Sequence, residues 1–253
     1  MTRSLPEVVT EIQSRVSYLR CHSVAPASEG WIGCDALIAN PDRLRAEIDA
    51  TAAGRLTDDA QVAASLYVQS YAFRVPSIAL AAYALGLPAP STAPECTAIR
   101  ITRSRPGELA ITDPHCAVTT VGSLVTQLFD GHLVPFVAAV RSRTRVGERL
   151  LWGNVAASIA TIFRAVQSCG PFGDPAVRQR AGEFERAAQP WLDGLGGYTT
   201  LVTSNGLGWY WDRTSCCLWY QTAEGAYCDD CSLHDPVELT TRRRADLSGS
   251  TAP

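Results

Sequence analysis

Lysine is absent from all 253 residues, and the 22 basic side chains are arginines. GC-rich coding favours arginine codons and accounts for the bias. It still has a chemical consequence. Every fixed cation is a planar guanidinium, a donor fork suited to carboxylates and other chelating anions. An excess of basic charge is also missing. Twenty-five acidic residues leave a formal net charge of −3, which excludes a dedicated nucleic-acid binder with its basic footprint. The opening MTRSLPEVVTEIQ has no apolar core of signal-peptide length. The longest apolar stretch, around Ser77 to Leu87, is bounded by Pro76 and Pro88 and is too short to span a bilayer. The expectation is a cytoplasmic protein with no integral membrane segment, in which thiols stay reduced.

Several catalytic signatures are missing too. There is no Walker loop, no G-x-G-x-x-G after a strand and no G-x-S-x-G. Gly194-Leu195-Gly196-Gly197 follows a helical pattern, so it is no dinucleotide fingerprint. With neither a nicotinamide nor a flavin motif, any electrons must come from another protein.

What is present reads as a globular chain. At 46% hydrophobic and 19% charged it matches ordinary soluble composition. A chain of this length buries about three quarters of its unfolded surface and needs no crosslinks. The first two thirds are predicted mainly helical. Val8, Val9, Ile12, Val16 and Leu19 recur at helical spacing. Asn40 and Pro41 mark a second helix start, and Asp174 with Pro175 a later one. A long apolar helix, with Thr57, Asp58 or Asp59 as its cap, is kinked or divided at Pro76. Between about 96 and 113 the period shortens to a β-hairpin, with Arg105-Pro106-Gly107 as its tight turn. The helix beginning at Val121 is expected to break near Gly131 and Pro135, and the strongest helix after the hairpin to end at Gly170. After Gly194, turn signals, β-branched residues and aromatics predict short strands.

The fold expected is thus mainly α (α+β): a helical domain with a small β-hairpin and a C-terminal irregular or β segment. Three regions are expected: 1–193, mainly helical; 194–239, cysteine-bearing; and 240–253, a flexible polar tail.

In that second region, SCCLWYQTAEGAYCDDC holds Cys216, Cys217, Cys228 and Cys231. A Cys-x-x-Cys lets two thiolates converge on one ion, and four thiolates complete either a tetrahedral zinc site or a 2Fe–2S cluster. The contiguous pair is unlike a zinc knuckle, since neighbouring side chains diverge. Geometry leaves zinc and iron–sulfur open. The other cysteines, Cys21, Cys34, Cys96, Cys116 and Cys169, are scattered and read as small buried hydrophobes. The adjacent pairs Cys21-His22 and His115-Cys116 do not by themselves place a base on a nucleophile.

The spacing Cys-Cys-x10-Cys-x2-Cys resembles the cluster signature of the FhuF-type ferric-siderophore reductases. Arg213 upstream, Trp219 and Tyr220 downstream and the chain length are also similar to that family. LLWGNVAASIA, residues 150–160, resembles a segment the family shares with aerobactin-type siderophore synthetases. The resemblance implies a 2Fe–2S cluster held by the four cysteines, a ferric siderophore as substrate, and a ferredoxin or a reductase feeding one as electron donor. It implies one-electron reduction that releases Fe(II) in the cytoplasm. The acidic Asp229-Asp230 departs from the commoner pattern and is expected to lower the potential. The rival readings are a zinc-stapled siderophore- or protein-binding module and a ferredoxin-like electron-transfer module.

Around this centre further roles are expected. Cys228 should share an iron with Cys231. Arg213 should orient the cluster loop or the substrate. Arg141, Arg145 and Arg149, at i, i+4 and i+8, would form a cationic ledge if one helix runs through them, although a charge row more often marks a solvated face. Trp209, Trp211 and Trp219 should shield the cluster from water, and His234 stands as a competing ligand beside four sufficient cysteines. His132 is assigned to a turn. Asn154 is left between capping, packing and substrate contact.

Overall fold

A computed structural model describes residues 3–23, 30–168 and 172–248. Its first part runs β1 Arg3–Ser4, α1 Leu5–Arg15, β2 Trp31–Gly33, α2 Cys34–Ala39, α3 Pro41–Gly54, α4 Ala60–Arg74 and α5 Ser77–Ala84. Then follow β3 Ala89–Pro90, β4 Thr97–Thr102, β5 Arg105–Ile111, β6 His115–Val118, α6 Val121–Leu128 and α7 Val134–Arg143. The chain closes with α8 Glu148–Gln167, α9 Pro175–Ala187, α10 Gln189–Leu192, β7 Gly196–Thr203, β8 Gly206–Arg213 and α11 Pro236–Leu247. Three small antiparallel sheets, ordered β1-β6-β3, β2-β4-β5 and β7-β8, accompany the helices. The fold is α+β and mainly helical, as predicted.

Local chemistry sets the helix starts. The Asn40 side chain accepts from Arg43 N at 3.0 Å, with Pro41 in the first turn of α3. Asp59 and Asp174 cap α4 and α9 in the same way. Pro76 lacks the N–H that would continue α4, so α4 ends at Arg74 and α5 restarts at Ser77. The break expected near Gly131 and Pro135 is instead a π-turn, Phe129–Leu133, which joins α6 to α7. Pro135 is tolerated there because it sits in the first turn of α7. The joined stretch Val121–Arg143 is long and apolar enough to cross a membrane, yet 56% of its apolar window is buried inside the fold.

Helix α8 is the axis of the core. Its residues from Leu151 to Ala160 are all buried, against α4, α5 and α9. Small side chains at Gly153, Ala156, Ala157 and Ala160 let α4 approach closely. Phe163 and Phe184 meet at 5.4 Å between ring centroids at the α8–α9 contact. The last residues of the long helix expected to Gly170, like Cys169, lie outside the described residues.

The β4–β5 hairpin forms where predicted, but its turn is Arg103-Ser104, both at positive φ of 50° and 59°. That is the geometry of a tight hairpin turn whose twist matches the strands. Pro106 lies within edge strand β5, where its missing donor is harmless. Gly107 occupies a bulge between the Ile101–Pro106 and Arg100–Glu108 pairs, and a Cβ there would lie 1.6 Å from Thr102 Oγ1.

Strand β8 alternates between two environments. Trp209 and Trp211 face the main core, with Tyr198 stacked on Trp209 at 3.7 Å. Tyr210 faces the other way, between the guanidinium groups of Arg164 and Arg243. Residues 240–247, expected as a frayed tail, belong to α11. Asp235 caps that helix, and Arg243 anchors it by donating to Asp212 Oδ1 at 2.5 Å. A polar helix is stable here because one buried arginine supplies both a charged pair and a ring contact. Residues 249–253 of the expected tail lie outside the described residues.

His132 is fully buried in the π-turn rather than exposed in a turn. Its Nδ1–H donates to Thr92 O at 2.6 Å, which leaves Nε2 to accept from the Tyr71 hydroxyl at 2.5 Å. Burial pushes its pKa down from 6.5 to about 4. The unfolded chain therefore takes a proton that the fold resists. Stability is complete above about pH 6.5 and falls as pH drops toward 4. We expect this histidine to cost about 2 kcal/mol between pH 7 and pH 5. Urea midpoints at the two pH values check this. His132→Gln should flatten the difference by that amount, and an unchanged slope would assign the acid sensitivity to another group.

Candidate metal centre and adjoining pocket

The loop that follows β8 is seated by a chain of buried hydrogen bonds. Arg213, 5% exposed, donates from Nε to Ser215 O at 2.6 Å and from Nη2 to Asn154 Oδ1 at 2.7 Å. Asn154 Nδ2 donates onward to Ser65 Oγ at 2.7 Å, and Ser65 Oγ donates to Cys217 O at 2.7 Å. The backbone on both sides of Cys216 is thereby tied to α4 and α8. Gly153 permits the approach, because a Cβ there would sit 2.0 Å from Ser215 Oγ. Asn154, whose role the sequence leaves open, is a packing and hydrogen-bonding residue beneath the cysteine loop. Arg213 orients that loop.

Leu218 adopts a left-handed conformation, φ 68°, which turns the chain directly after the contiguous cysteines. Cys216 and Cys217 consequently meet different partners. Cys216 Sγ lies 3.6 Å from Cys231 Sγ, and Cys217 Sγ lies 4.0 Å from Cys228 Sγ. With a metal–sulfur bond of about 2.3 Å, tetrahedral coordination separates two sulfurs by about 3.8 Å. Each pair therefore has the spacing of two ligands on one metal. The Cys-x-x-Cys pair expected to share an iron, Cys228 with Cys231, is not one of these two close sulfur contacts. Among the described residues no three His, Cys, Asp or Glu side chains converge on a single ion.

Further donors fit an anionic sulfur centre. Leu218 N donates to Cys216 Sγ at 3.3 Å. Arg213 Nη1 and Ser215 Oγ are buried without a partner among the described residues, and buried donors of this kind call for an acceptor. The Cys217 thiol is lowered to about 6, first by the Cys228 thiol hydrogen-bonded to it, with help from Trp219 N–H and the Arg213 charge. Cys228 is raised by the same contact, by burial and by neighbouring Asp230, and burial raises Cys216 to about 11. Burial likewise lifts Cys21 to about 12 and Cys116 to about 11, so neither of the cysteine–histidine pairs holds a ready thiolate.

Of the tryptophans, Trp219 alone joins Cys217 and Cys228, in a small apolar cluster with Val62 and Leu66. Trp209 and Trp211 belong to the main core and do not shield the cysteines. His234 Nε2 donates to Cys228 O at 3.0 Å. It braces the Cys-x-x-Cys turn through a carbonyl and does not complete a ligand set.

Beside the Cys217–Cys228 pair opens a pocket of about 400 Å³, within the range of small-molecule sites. Cys217, Trp219, Cys228 and Asp230 line one wall, and Arg55, Arg74 and Arg105 another. These arginines come from the end of α3, the last turn of α4 and the first residue of β5. Burial, together with the charges of Arg55, Arg74 and Arg103, lowers the pKa of Arg105. The pocket is thus electropositive opposite the thiols. Sequence reasoning missed these residues, which lie far apart in the chain; the only local hint was the Arg103-x-Arg105 pair at the hairpin turn.

The predicted ledge does not form. Arg141 ends α7 bonded to Glu148 at 2.6 Å, and Arg145 lies exposed in the connection. Arg149 starts α8 and donates to Gly194 O at 2.7 Å. The helix that would have aligned them is broken between Thr144 and Gly147.

Removing the carboxamide in Asn154→Ala would strand the Arg213 donor and the Ser65 acceptors in the core. We expect about 2–3 kcal/mol of lost stability and faster amide exchange at Cys217 and Leu218. Exchange rates unchanged at those two amides would show that the loop is held by other contacts.

Comparison with known proteins agrees with this geometry. The family model described as ferric iron reductase FhuF-like transporter matches residues 65–192, and that of the FhuF 2Fe-2S C-terminal domain matches residues 213–233. No curated protein matches the chain. Among solved structures it is similar to aerobactin synthetase IucC from a hypervirulent pathotype of Klebsiella pneumoniae. That likeness has 16% identity and a TM-score of 0.46, over 64% of this chain and 32% of the other, so the chain spans about a third of the synthetase's length. The first family match covers the helices from α4 to α10 and the second covers all four cysteines: the chain belongs to the FhuF-like ferric iron reductase family and carries its 2Fe–2S C-terminal domain.

Proposed function

We propose that the protein reduces ferric siderophores by one electron, in the cytoplasm, and so releases Fe(II). Cys216, Cys217, Cys228 and Cys231 hold the 2Fe–2S cluster in this reading, as the pairs 216/231 and 217/228. The observation that carries it is the pocket, because a chelate bound there touches Cys217 and Cys228 directly. Bound there, the cluster supplies a single low-potential electron. The protein's own residues do the rest. Arg213, Asn154 and Ser65 hold the ligand loop in one geometry, and Trp219 and Leu66 exclude water from the inner pair.

The substrate needs no bond cut in its organic part. Hard anionic oxygens grip Fe(III) tightly, and one added electron lowers the metal charge and loosens that grip. Neither a nucleophile nor a general base is required. The electron originates in a ferredoxin or in a reductase that feeds one.

Protein purified without oxygen should be red-brown, contain acid-labile sulfide and show an EPR signal after reduction. Mixed anaerobically with ferric hydroxamate, citrate and catecholate chelates, the reduced form should be reoxidised as a ferrous trap colours. Absence of labile sulfide, or full activity with the four cysteines changed to serine, would overturn the proposal. Indifference to all three chelates would leave an electron-transfer module serving another reductase.

Asp230 lies beside Cys228 and lines the pocket, whereas Asp229 is exposed. A carboxylate close to the cluster disfavours the extra negative charge of the reduced form. Asp230→Asn should raise the midpoint potential in a redox titration, and by more than Asp229→Asn. Equal potentials in wild type and both variants would show that the acidic pair does not tune the centre.

A further inference from the structure

Three arginines line the pocket that Cys217 and Cys228 also line. Arg3, Arg43, Arg45, Arg100 and Arg143 each pair with a carboxylate at the surface. Among the described residues, Arg55, Arg74, Arg103 and Arg105 form no ion pair and donate no side-chain hydrogen bond. Glu108, the carboxylate nearest in effect to Arg74, is already engaged by Arg100 and His22. Arg74 also rests over the Phe73 ring at 5.2 Å. A position at a helix end explains Arg74 through the α4 dipole. It does not explain why three unpaired guanidinium groups line one cavity, with the charge of Arg103 close enough to act on Arg105.

The backbone is built to hold them there. Arg103 and Ser104 both sit at positive φ, a conformation that non-glycine residues adopt at a cost. The surroundings enforce it. Thr51 Oγ1 donates to Ser104 O at 2.6 Å, and Gly54 leaves room for the turn, since a Cβ there would meet Ser104 Cβ at 2.5 Å. The contact locks the hairpin tip to the end of α3, next to Arg55. Strain retained in this way belongs with sites where position matters.

The facing wall is acidic. Asp230 and the thiolate ligands Cys217 and Cys228 present negative charge to the same cavity. A neutral ferric chelate would need no help to approach them, whereas an anionic one would be repelled. Guanidinium groups are the donors that recognise carboxylates in paired fashion.

We propose that Arg55, Arg74 and Arg105, with Arg103 adding to their field, recognise ferric chelates that are net anionic and carry free or metal-bound carboxylates, in preference to neutral hydroxamate chelates. This rests on the reductase reading of the same pocket and names its substrate class.

The test uses the full-length, cluster-loaded protein and redox-inert gallium(III) in place of iron. Titration calorimetry with gallium(III) citrate and with a neutral gallium(III) trihydroxamate gives the two affinities at low and high salt. The citrate complex should bind more tightly and weaken as salt rises. Arg74→Gln and Arg105→Gln should each weaken citrate binding by about tenfold and leave the trihydroxamate unchanged. Arg43→Gln, a surface pair elsewhere, should change neither. The cluster's visible spectrum serves as the check on folding, and the salt dependence of the wild type needs no variant at all. If both chelates bind alike, or if the citrate preference survives in both variants, the arginines do not set the substrate class. Reduction of the ferric forms by that same protein would then leave the reductase reading standing. If neither gallium chelate binds and neither ferric chelate is reduced, both readings fail together.

Discussion

Arg213, Asn154, Ser65 and the Cys217 carbonyl form one continuous buried chain of hydrogen bonds, and the metal centre depends on it. It links β8, α8, α4 and the cysteine loop, alongside the Ser158–Gln69 and Arg149–Thr214 hydrogen bonds and apolar packing. Each link is directional and lies in a low-dielectric setting, where a satisfied network is stiff and a broken one is costly. The loop itself has little regular structure of its own. Its shape is borrowed from the two helices beneath it.

This arrangement explains why a family known by its cysteines also needs a helical body. Small residues in α8 let α4 and the cysteine loop come close, and Gly153 admits Ser215. The body that seats the loop also brings the ends of α3 and α4 and the β4–β5 turn to the same side. The inner cysteine pair and the arginine wall therefore face one cavity. Packing alone thus brings cysteines and arginines from distant parts of the chain to the same pocket.

Local signals made much of the fold legible. Caps at Asn40, Asp59 and Asp174, the division at Pro76 and the hairpin over residues 97–111 depend on chemistry within a few residues. Errors arose where a neighbour distant in sequence decided the outcome. The turn settled on Arg103-Ser104 because Thr51 and Gly54 fix that tip, leaving Pro106 and Gly107 inside a bulged strand. Gly131 and Pro135 did not break the helix, because a buried π-turn around His132 takes up Gly131 and Pro135 falls in the first turn of α7. The polar stretch after Thr240 became helical because Arg243 finds Asp212 and Tyr210.

The sequence alone marked a four-cysteine metal-binding segment and left zinc and iron–sulfur open. Four thiols at a particular spacing can be read without coordinates, since ligand identity is a property of residue type. Which thiols come close, Cys216 to Cys231 and Cys217 to Cys228, is a result of the folded loop. Which arginines face them was settled by tertiary structure as well. Arg141, Arg145 and Arg149 lie close together in the chain and are separated by a helix break, while Arg55, Arg74 and Arg105 lie far apart and line one cavity. Convergence of charge in space is a property of packing, and no local pattern records it.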